Sequence, residues 1–137
     1  MFMEMPDGDI INLDNVIAVQ ATNYLHGITI YTDYGDTFRV EASDAANQKE
    51  LMGRLDFLLH GAPSKTGVVY IENLILRTDK IRHINIDEDG AGKKLIKIYI
   101  DKYQFLIEND AEKHMQELTQ LLARKNISGS HTTFVKL

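Results

Sequence analysis

Cysteine is absent from this chain of 137 residues, which excludes disulfide bonds and thiolate metal sites. No apolar stretch approaches the ~20 residues that a helix needs to span a bilayer. The N-terminal segment MFMEMPDGD has neither the basic region nor the apolar region of a secretory signal. These absences together predict a cytoplasmic protein without a membrane-spanning segment.

Motifs of the common enzyme and metal sites are also missing. The five histidines show no ligand spacing such as HxH or HExxH. The sequence contains no GxSxG, Walker A or GxGxxG pattern, and nothing groups a nucleophile with a base and an orienting residue. The acidic stretch DEDGAG (87–92) lacks the ligand alternation of a calcium hand, which favours a solvated loop. We therefore predict a protein that is not an enzyme and that binds neither a metal nor a cofactor.

The net charge of −5 is distributed unevenly. Residues 1–65 carry four basic and ten acidic side chains, whereas residues 66–137 carry eleven basic and ten acidic side chains. An acidic balance argues against tight non-specific binding of duplex DNA, because that binding depends on neutralising phosphates. A local basic face in the second half remains compatible with this composition.

One supersecondary pattern occurs twice. GITIYTDYGDTFRVEASDA (27–45) has the pattern of two strands, a turn and the start of a helix, and KLIKIYIDKYQFLIENDA (94–111) repeats it about 67 residues later. Upstream, DNV (14–16) and DKI (79–81) match at an offset of 65, and the Ile-Tyr pairs at 30 and 98 match at an offset of 68. The longer loop 87–94 accounts for the difference.

The order of these elements predicts an α+β fold of two tandem ββββα repeats. Repeat 1 covers 2–60, the linker 61–67, repeat 2 covers 67–125, and a tail covers 126–137, all within a single domain 1–137. Each antiparallel sheet should have one apolar face, covered by the C-terminal helix of its repeat. One helix makes a thin core for a unit of this size, so the two units are expected to pack on each other.

Two helices close the predicted repeats. Ser43 or Asp44 should cap the first, and Asn109 or Asp110 the second. Each predicted helix places apolar residues on one face. These are Leu51, Leu55, Leu58 and Leu59 in the first helix, and Met115, Leu118, Leu121 and Leu122 in the second. The β-prone tail HTTFVKL is expected either to pair with a sheet edge and support a homo-oligomer, or to remain a frayed terminus.

Alternation with a period of two places a tyrosine at the same point of each repeat, opposite the isoleucines that should face the helix. The open face is then predicted to carry four residues that suit single-stranded DNA or RNA, because bases stack on aromatic rings while cations contact phosphates. They are Tyr31, Arg39, Lys97 and Tyr99. The alternative is structural: tyrosine favours strands, and aromatic–cation pairs stabilise sheets by themselves.

Two families share features with this sequence. The tandem ββββα order resembles the Whirly fold and the coactivator-type single-stranded DNA-binding regulators. That resemblance implies a sheet face that binds single strands, often within a homo-oligomer, at Tyr31, Arg39, Lys97 and Tyr99. The phrases INLDNVIAV, ITIYTDYGDTFRV and TDKIRHI resemble strand phrases of LytTR DNA-binding domains in the same order.

A third hypothesis belongs to a different class of protein. The acidic balance also fits a self-assembling or protein-binding adaptor that uses its sheet edges and its tail and has no nucleic-acid ligand.

Overall fold

The computed structural model describes residues 1–61, 67–124 and 135. These residues form two α-helices and ten strands, and the strands pair in three antiparallel sheets, which confirms the α+β class. The chain divides into two compact units, Met1–Arg77 and Thr78–Leu137. The linker residues 62–66 and most of the predicted tail strand lie outside the described residues.

The first unit contains seven strands and one helix. They are β1 (Phe2–Glu4), β2 (Ile10–Asn12), β3 (Val16–Ala21), β4 (Gly27–Thr32), β5 (Thr37–Glu41), α1 (Ala45–Gly61), β6 (Val68–Ile71) and β7 (Leu74–Arg77). The second unit consists of β8 (Ile81–Glu88), β9 (Lys94–Ile100), β10 (Tyr103–Ile107) and α2 (Ala111–Arg124). Short 3-10 helices at Leu13–Asn15 and Thr78–Lys80 lead into β3 and β8, and a third lies at Tyr24–His26.

The prediction of one four-stranded sheet in each repeat is wrong. Five strands precede each helix, because the 3-10 helix Leu13–Asn15 separates β2 from β3 and the 3-10 helix Thr78–Lys80 separates β7 from β8. The strands β1 and β2 form a sheet of their own, β10-β9-β8 form a second, and the third has five strands in the order β5-β4-β3-β7-β6. The hairpin β6–β7, which the sequence assigns to repeat 2, therefore extends the sheet of repeat 1. The reason is that β7 is apolar on both faces, with Leu74, Ile75 and Leu76 all buried, and such a strand requires an internal position in a covered sheet.

The strand pairs that follow the 3-10 helices share one register in both units. Val19 lies opposite Ile30 in the first unit, and Ile84 lies opposite Ile98 in the second. Each pair of strands also has an irregularity near its start, between Val16 and Ala18 in β3 and between Ile81 and His83 in β8. These positions reproduce the offsets of 65 and 68 found in the sequence. Superposition of the complete units stays a prediction.

Local chemistry explains the turn and the cap that border the strands of repeat 1. Gly35 adopts a φ of 94° between β4 and β5, a conformation that glycine tolerates without steric cost. The buried Thr32 closes this turn, because its hydroxyl donates to the Asp36 carbonyl at 2.6 Å. The N–H of Asn47 donates to Asp44 Oδ1 at 2.8 Å, which confirms the predicted cap of α1.

The core of the first unit lies between α1 and the five-stranded sheet. From the helix it contains Met52, Leu55 and Leu59, and from the sheet it contains Val16, Val19, Ile28, Ile30, Val40, Val68 and Ile75. The opposite side of β3, β6 and β7 is buried as well, at Ile17, Ala18, Val69, Ile71, Leu74 and Leu76. The open polar face predicted for this sheet is therefore restricted to β4 and β5.

The second unit has a simpler arrangement. Its buried apolar residues come from β9, β10 and α2 and are Ile96, Ile98, Ile100, Phe105, Ile107, Ala111 and Leu118. Lys94 of β9 forms an ion pair with Glu112 of α2. Among the described residues, no helix is both long enough and apolar enough to cross a membrane.

Truncation of Ile75 to alanine tests whether the β6–β7 hairpin belongs to the core of the first unit. We expect Ile75→Ala to lower the free energy of unfolding by about 2–5 kcal/mol, because a fully buried side chain is lost beneath α1. The matched control is Phe57→Ala, which removes a large apolar side chain that is 78% exposed on α1 and should change stability by no more than ~0.5 kcal/mol. Urea denaturation measures both, and equal effects would contradict the fold.

Candidate nucleic-acid interface

The four residues singled out from the sequence fall into two pairs in separate units. Tyr31 and Arg39 lie on β4 and β5 of the first unit, and Lys97 and Tyr99 lie on β9 of the second. Within each unit the pair is on the side of the sheet opposite the buried isoleucines, as the alternation predicts. The structure thus groups the predicted residues in pairs, Tyr31 with Arg39 in the first unit and Lys97 with Tyr99 in the second.

Arg39 is already engaged within its own unit. Its guanidinium donates to the Tyr24 carbonyl at 2.7 Å and to the Thr22 hydroxyl at 3.2 Å. It also lies 5.7 Å from the centre of the Tyr24 ring and has its Nε 3.9 Å from a Glu41 carboxylate oxygen. These contacts give Arg39 a structural role in the first unit.

The segment that Arg39 contacts is strained. Leu25 and His26 have φ values of 51° and 48°, in the left-handed region that non-glycine residues rarely adopt. Such conformations cost roughly 1–3 kcal/mol each and persist only where surrounding contacts fix them. The bond from Arg39 to the Tyr24 carbonyl is one such contact, and it ties β5 to the loop between β3 and β4.

Tyr31 is hydrogen-bonded within its own unit. It is half-buried, and its hydroxyl donates to Gln20 Oε1 at 3.3 Å. Along its row of the sheet it lies opposite Ala18, which in turn lies opposite the fully buried Leu76. The surroundings of Tyr31 match the structural alternative for the strand tyrosines more closely than a stacking site for a base.

Tyr99 has a different environment in the second unit. His83 of β8 and Gln104 of β10 lie directly opposite it on the two neighbouring strands. The His83 and Tyr99 ring centroids are 5.6 Å apart with the planes inclined at 43°, a tilted aromatic pair. Tyr99 is half-buried, as Tyr31 is, but His83 and Gln104 on either side of it are exposed.

The next row of the same face contains the predicted lysine, Lys97. Lys97 lies between Asn85 and Leu106, and its ammonium is 3.0 Å from an Asp87 carboxylate oxygen. The hydrogen bond with Asp87 raises the pKa of Lys97 and lowers the pKa of Asp87, and Tyr99 adds a smaller electrostatic contribution that also raises the pKa of Lys97. Lysine and carboxylate are therefore both charged at neutral pH.

We name the second-unit face made by His83, Asn85, Lys97, Tyr99 and Gln104 the ring–amide face. Sequence reasoning missed three of these residues because they come from the strands on either side of β9. The signal that could have found them is the same alternation applied to β8 and β10, which places His83, Asn85 and Gln104 on the side of Tyr99.

The ring–amide face offers aromatic surface, one positive charge that is paired with Asp87, and the exposed amide of Gln104, which both donates and accepts hydrogen bonds. The side-chain oxygen of Asn85 is buried. The face offers no metal site: among the described residues, no three histidine or acidic side chains come together as a group that could hold an ion. Comparison of the chain with protein-family models, curated proteins and solved structures gives no match.

A double-mutant cycle at Gly27 and Arg39 tests the structural role of the arginine. A Cβ atom at Gly27 would lie 2.2–2.3 Å from three atoms of the Arg39 guanidinium, so Gly27→Ala must displace that group. Gly27 has an ordinary φ of −78°, so alanine itself is tolerated by the backbone. We expect Gly27→Ala to be less favourable in the wild-type chain, because the displaced guanidinium loses its bonds to the Tyr24 carbonyl and the Thr22 hydroxyl. In an Arg39→Ala background the same change should stabilise by about 0.4–1 kcal/mol, because it reduces the entropy of the unfolded chain.

Thermal unfolding of the four proteins measures this coupling. Additive effects of the two substitutions would mean that Arg39 does not occupy the space above Gly27, and the arginine would again be a candidate for ligand binding.

Proposed function

We propose that this protein is a non-enzymatic module that binds single-stranded DNA or RNA through the ring–amide face of its second unit. The observation that carries the proposal is the His83–Tyr99 ring pair on a sheet face, next to Lys97 and flanked by amides. Unpaired bases stack on aromatic side chains with about 1–3 kcal/mol per base, and cations contact the phosphates between them. Duplex DNA hides its base faces, so this surface suits single strands.

The second unit is favoured over the first because its groups are less committed to the fold. Arg39 makes four contacts inside the first unit, and Tyr31 lies beside a buried apolar row. In the second unit, His83 and Gln104 are exposed, and Lys97 has a single acidic partner on a neighbouring strand. We therefore assign binding to Lys97 and Tyr99, and assign Tyr31 and Arg39 to the structure of the first unit.

The LytTR resemblance supports a nucleic-acid-binding function. The Whirly resemblance depended on four strands before each helix and does not support it, because five strands precede each helix. The LytTR-like phrases INLDNVIAV and TDKIRHI correspond to the two joints where a 3-10 helix leads into β3 and β8. The second of these joints supplies His83, so this phrase contributes directly to the proposed surface. On this reading the protein acts in the cytoplasm as a nucleic-acid-binding protein.

Binding is expected to be weak, because the face carries one lysine and that lysine is paired. It should weaken further as salt is added, with the shallow slope of a single phosphate contact. Fluorescence anisotropy with labelled oligo-dT, oligo-U and a duplex of equal length, at low ionic strength, measures it directly. A preference for the duplex, or no binding at low salt, would overturn the proposal.

Removal of the Tyr99 ring is the first specific test. We expect Tyr99→Ala to weaken oligonucleotide binding roughly 5- to 150-fold, because one base loses its stacking partner. The matched control is Tyr34→Ala, since Tyr34 is 53% exposed in the turn between β4 and β5 of the first unit. If the two tyrosine variants lose affinity equally, the ring–amide face is not the binding site.

The Lys97–Asp87 pair allows a test with effects of opposite sign. Lys97→Gln removes a phosphate contact, so we expect lower affinity and a slope of log affinity against log salt that is shallower by ~0.7. Asp87→Asn removes the carboxylate that competes with phosphate for Lys97, so affinity should increase. Affinity changes of the same sign in both variants would show that the lysine acts only through the fold.

A protein-binding or self-assembling adaptor is the second candidate function. The observation that favours it is the exposure of two large apolar side chains, Phe2 and Ile10, on the first hairpin.

A further inference from the structure

The first hairpin has a face on which two large apolar side chains are exposed beside Glu4 and Asn12, and nothing among the described residues covers it. The strands β1 and β2 pair only with each other there. One face of this hairpin, with Met3 and Ile11, packs into the core of the first unit. On the other face Phe2 is 72% exposed and Ile10 is 67% exposed.

In the second hairpin, β6–β7, the residues equivalent to Phe2 and Ile10 are buried. Ile75 lies three residues before the 3-10 helix that starts at Thr78, as Ile10 lies three residues before the one that starts at Leu13. Val68 pairs with the last residue of its hairpin, as Phe2 does. Yet Val68 and Ile75 are buried beneath α1, because β7 is paired with β3. Equivalent residues are thus buried in one hairpin and exposed in the other.

The strands that could pair with such a hairpin, β3 in the first unit and β8 in the second, also differ in the burial of equivalent residues. In β3, Val16 and Val19 are buried. Their equivalents in β8, Ile81 and Ile84, remain partly exposed, and in the described part of the chain β8 pairs only with β9.

Open space adjoins this unpaired edge of β8. Ile86 is 38% exposed and borders, with Met115 and Thr119 of α2, an open groove of about 470 Å³. Among the described residues, the second unit therefore has an acceptor edge without a hairpin, and the first unit has a hairpin without an acceptor.

We propose that the first hairpin of one chain adds to the β8 edge of a second copy of this chain, as β6–β7 adds to β3. The register follows from the observed pairs Val19–Ile75 and Ala18–Leu76. The repeat offset of 65 is subtracted from the β7 residues to give their equivalents in β2, and is added to the β3 residues to give their equivalents in β8. Ile10 then lies opposite Ile84, and Ile11 lies opposite His83. The occupant is a second copy because the hairpin that fits this kind of edge, with apolar residues at the required spacing, is present in the chain itself.

The gain from this association has two sources. The unpaired N–H and C=O groups of β8 obtain hydrogen-bond partners, as in strand addition generally. Phe2 and Ile10 leave water, together with the exposed parts of Ile84 and Ile86. The inference does not depend on nucleic-acid binding, since it uses the strand edge and the hairpin.

The register is tested by directed disulfide formation, for which the absence of native cysteine is an advantage. Chains carrying only Ile10→Cys are mixed with chains carrying only Ile84→Cys under mild oxidation, so the mixed disulfide joins two different chains. The control partner carries Ile86→Cys, two residues along the same face and more exposed than Ile84. A residue two positions out of register lies at about 7–8 Å, too far for an unstrained disulfide. We expect the 10–84 mixed disulfide to dominate, and equal yields with the 86 control would overturn the proposal.

Sedimentation over a concentration series tests the association itself. Ile10→Asp should weaken self-association by about tenfold or more, because a charge would be buried between strands. Phe57→Asp introduces the same charge at an exposed apolar site of α1 and should leave association unchanged. A wild-type chain that stays monomeric throughout would contradict the proposal. So would an association that survives Ile10→Asp but disappears on deletion of 125–137, because the tail would then hold the copies together.

Discussion

The pairing of β3 with β7 is the interaction on which the first unit depends. It joins two segments far apart in the chain, places Ile75 beside Val19 and continues the sheet into the β6–β7 hairpin. The helix α1 then covers a surface wide enough to bury Val16, Val19, Val68 and Ile75 together. The related strand β8 lacks such a neighbour among the described residues, and its isoleucines Ile81 and Ile84 remain partly exposed.

The same pairing explains why one sequence pattern produces two different surfaces. Tyr31 and Tyr99 occupy equivalent positions, opposite Ala18 and His83 respectively. On its other side across the sheet, Ala18 lies opposite the buried Leu76 of β7, so the row of Tyr31 is apolar on that side. The row of Tyr99 contains His83 and Gln104, both exposed. Backbone geometry is repeated, while the chemistry of the face depends on the neighbouring strands.

Much of this fold could be predicted from local patterns. Strand alternation, the turn at Gly35, the Asp44 cap and the offset between the repeats are all determined by residues close in sequence. The partner of β7 could not be predicted in this way, because alternation assigns faces and does not identify the neighbouring strand. The one available signal was the run Leu74–Leu76, since three consecutive apolar residues are typical of a strand covered on both sides. For the same reason the sequence predicted Lys97 and Tyr99 but missed His83, Asn85 and Gln104, and it did not reveal that Arg39 bonds to an irregular loop.

The two proposals meet on the same face of the second unit. In the proposed register Ile11 lies opposite His83, and residues directly opposite each other point to the same side of a sheet. Ile11 is also part of the core of its own first unit, so the body of the incoming chain lies on the side of His83 and Tyr99. Under the two proposals, self-association and oligonucleotide binding compete for this surface. By linkage each lowers the apparent affinity of the other by one common factor, so the exposed hairpin would act as a regulator of the ring–amide face.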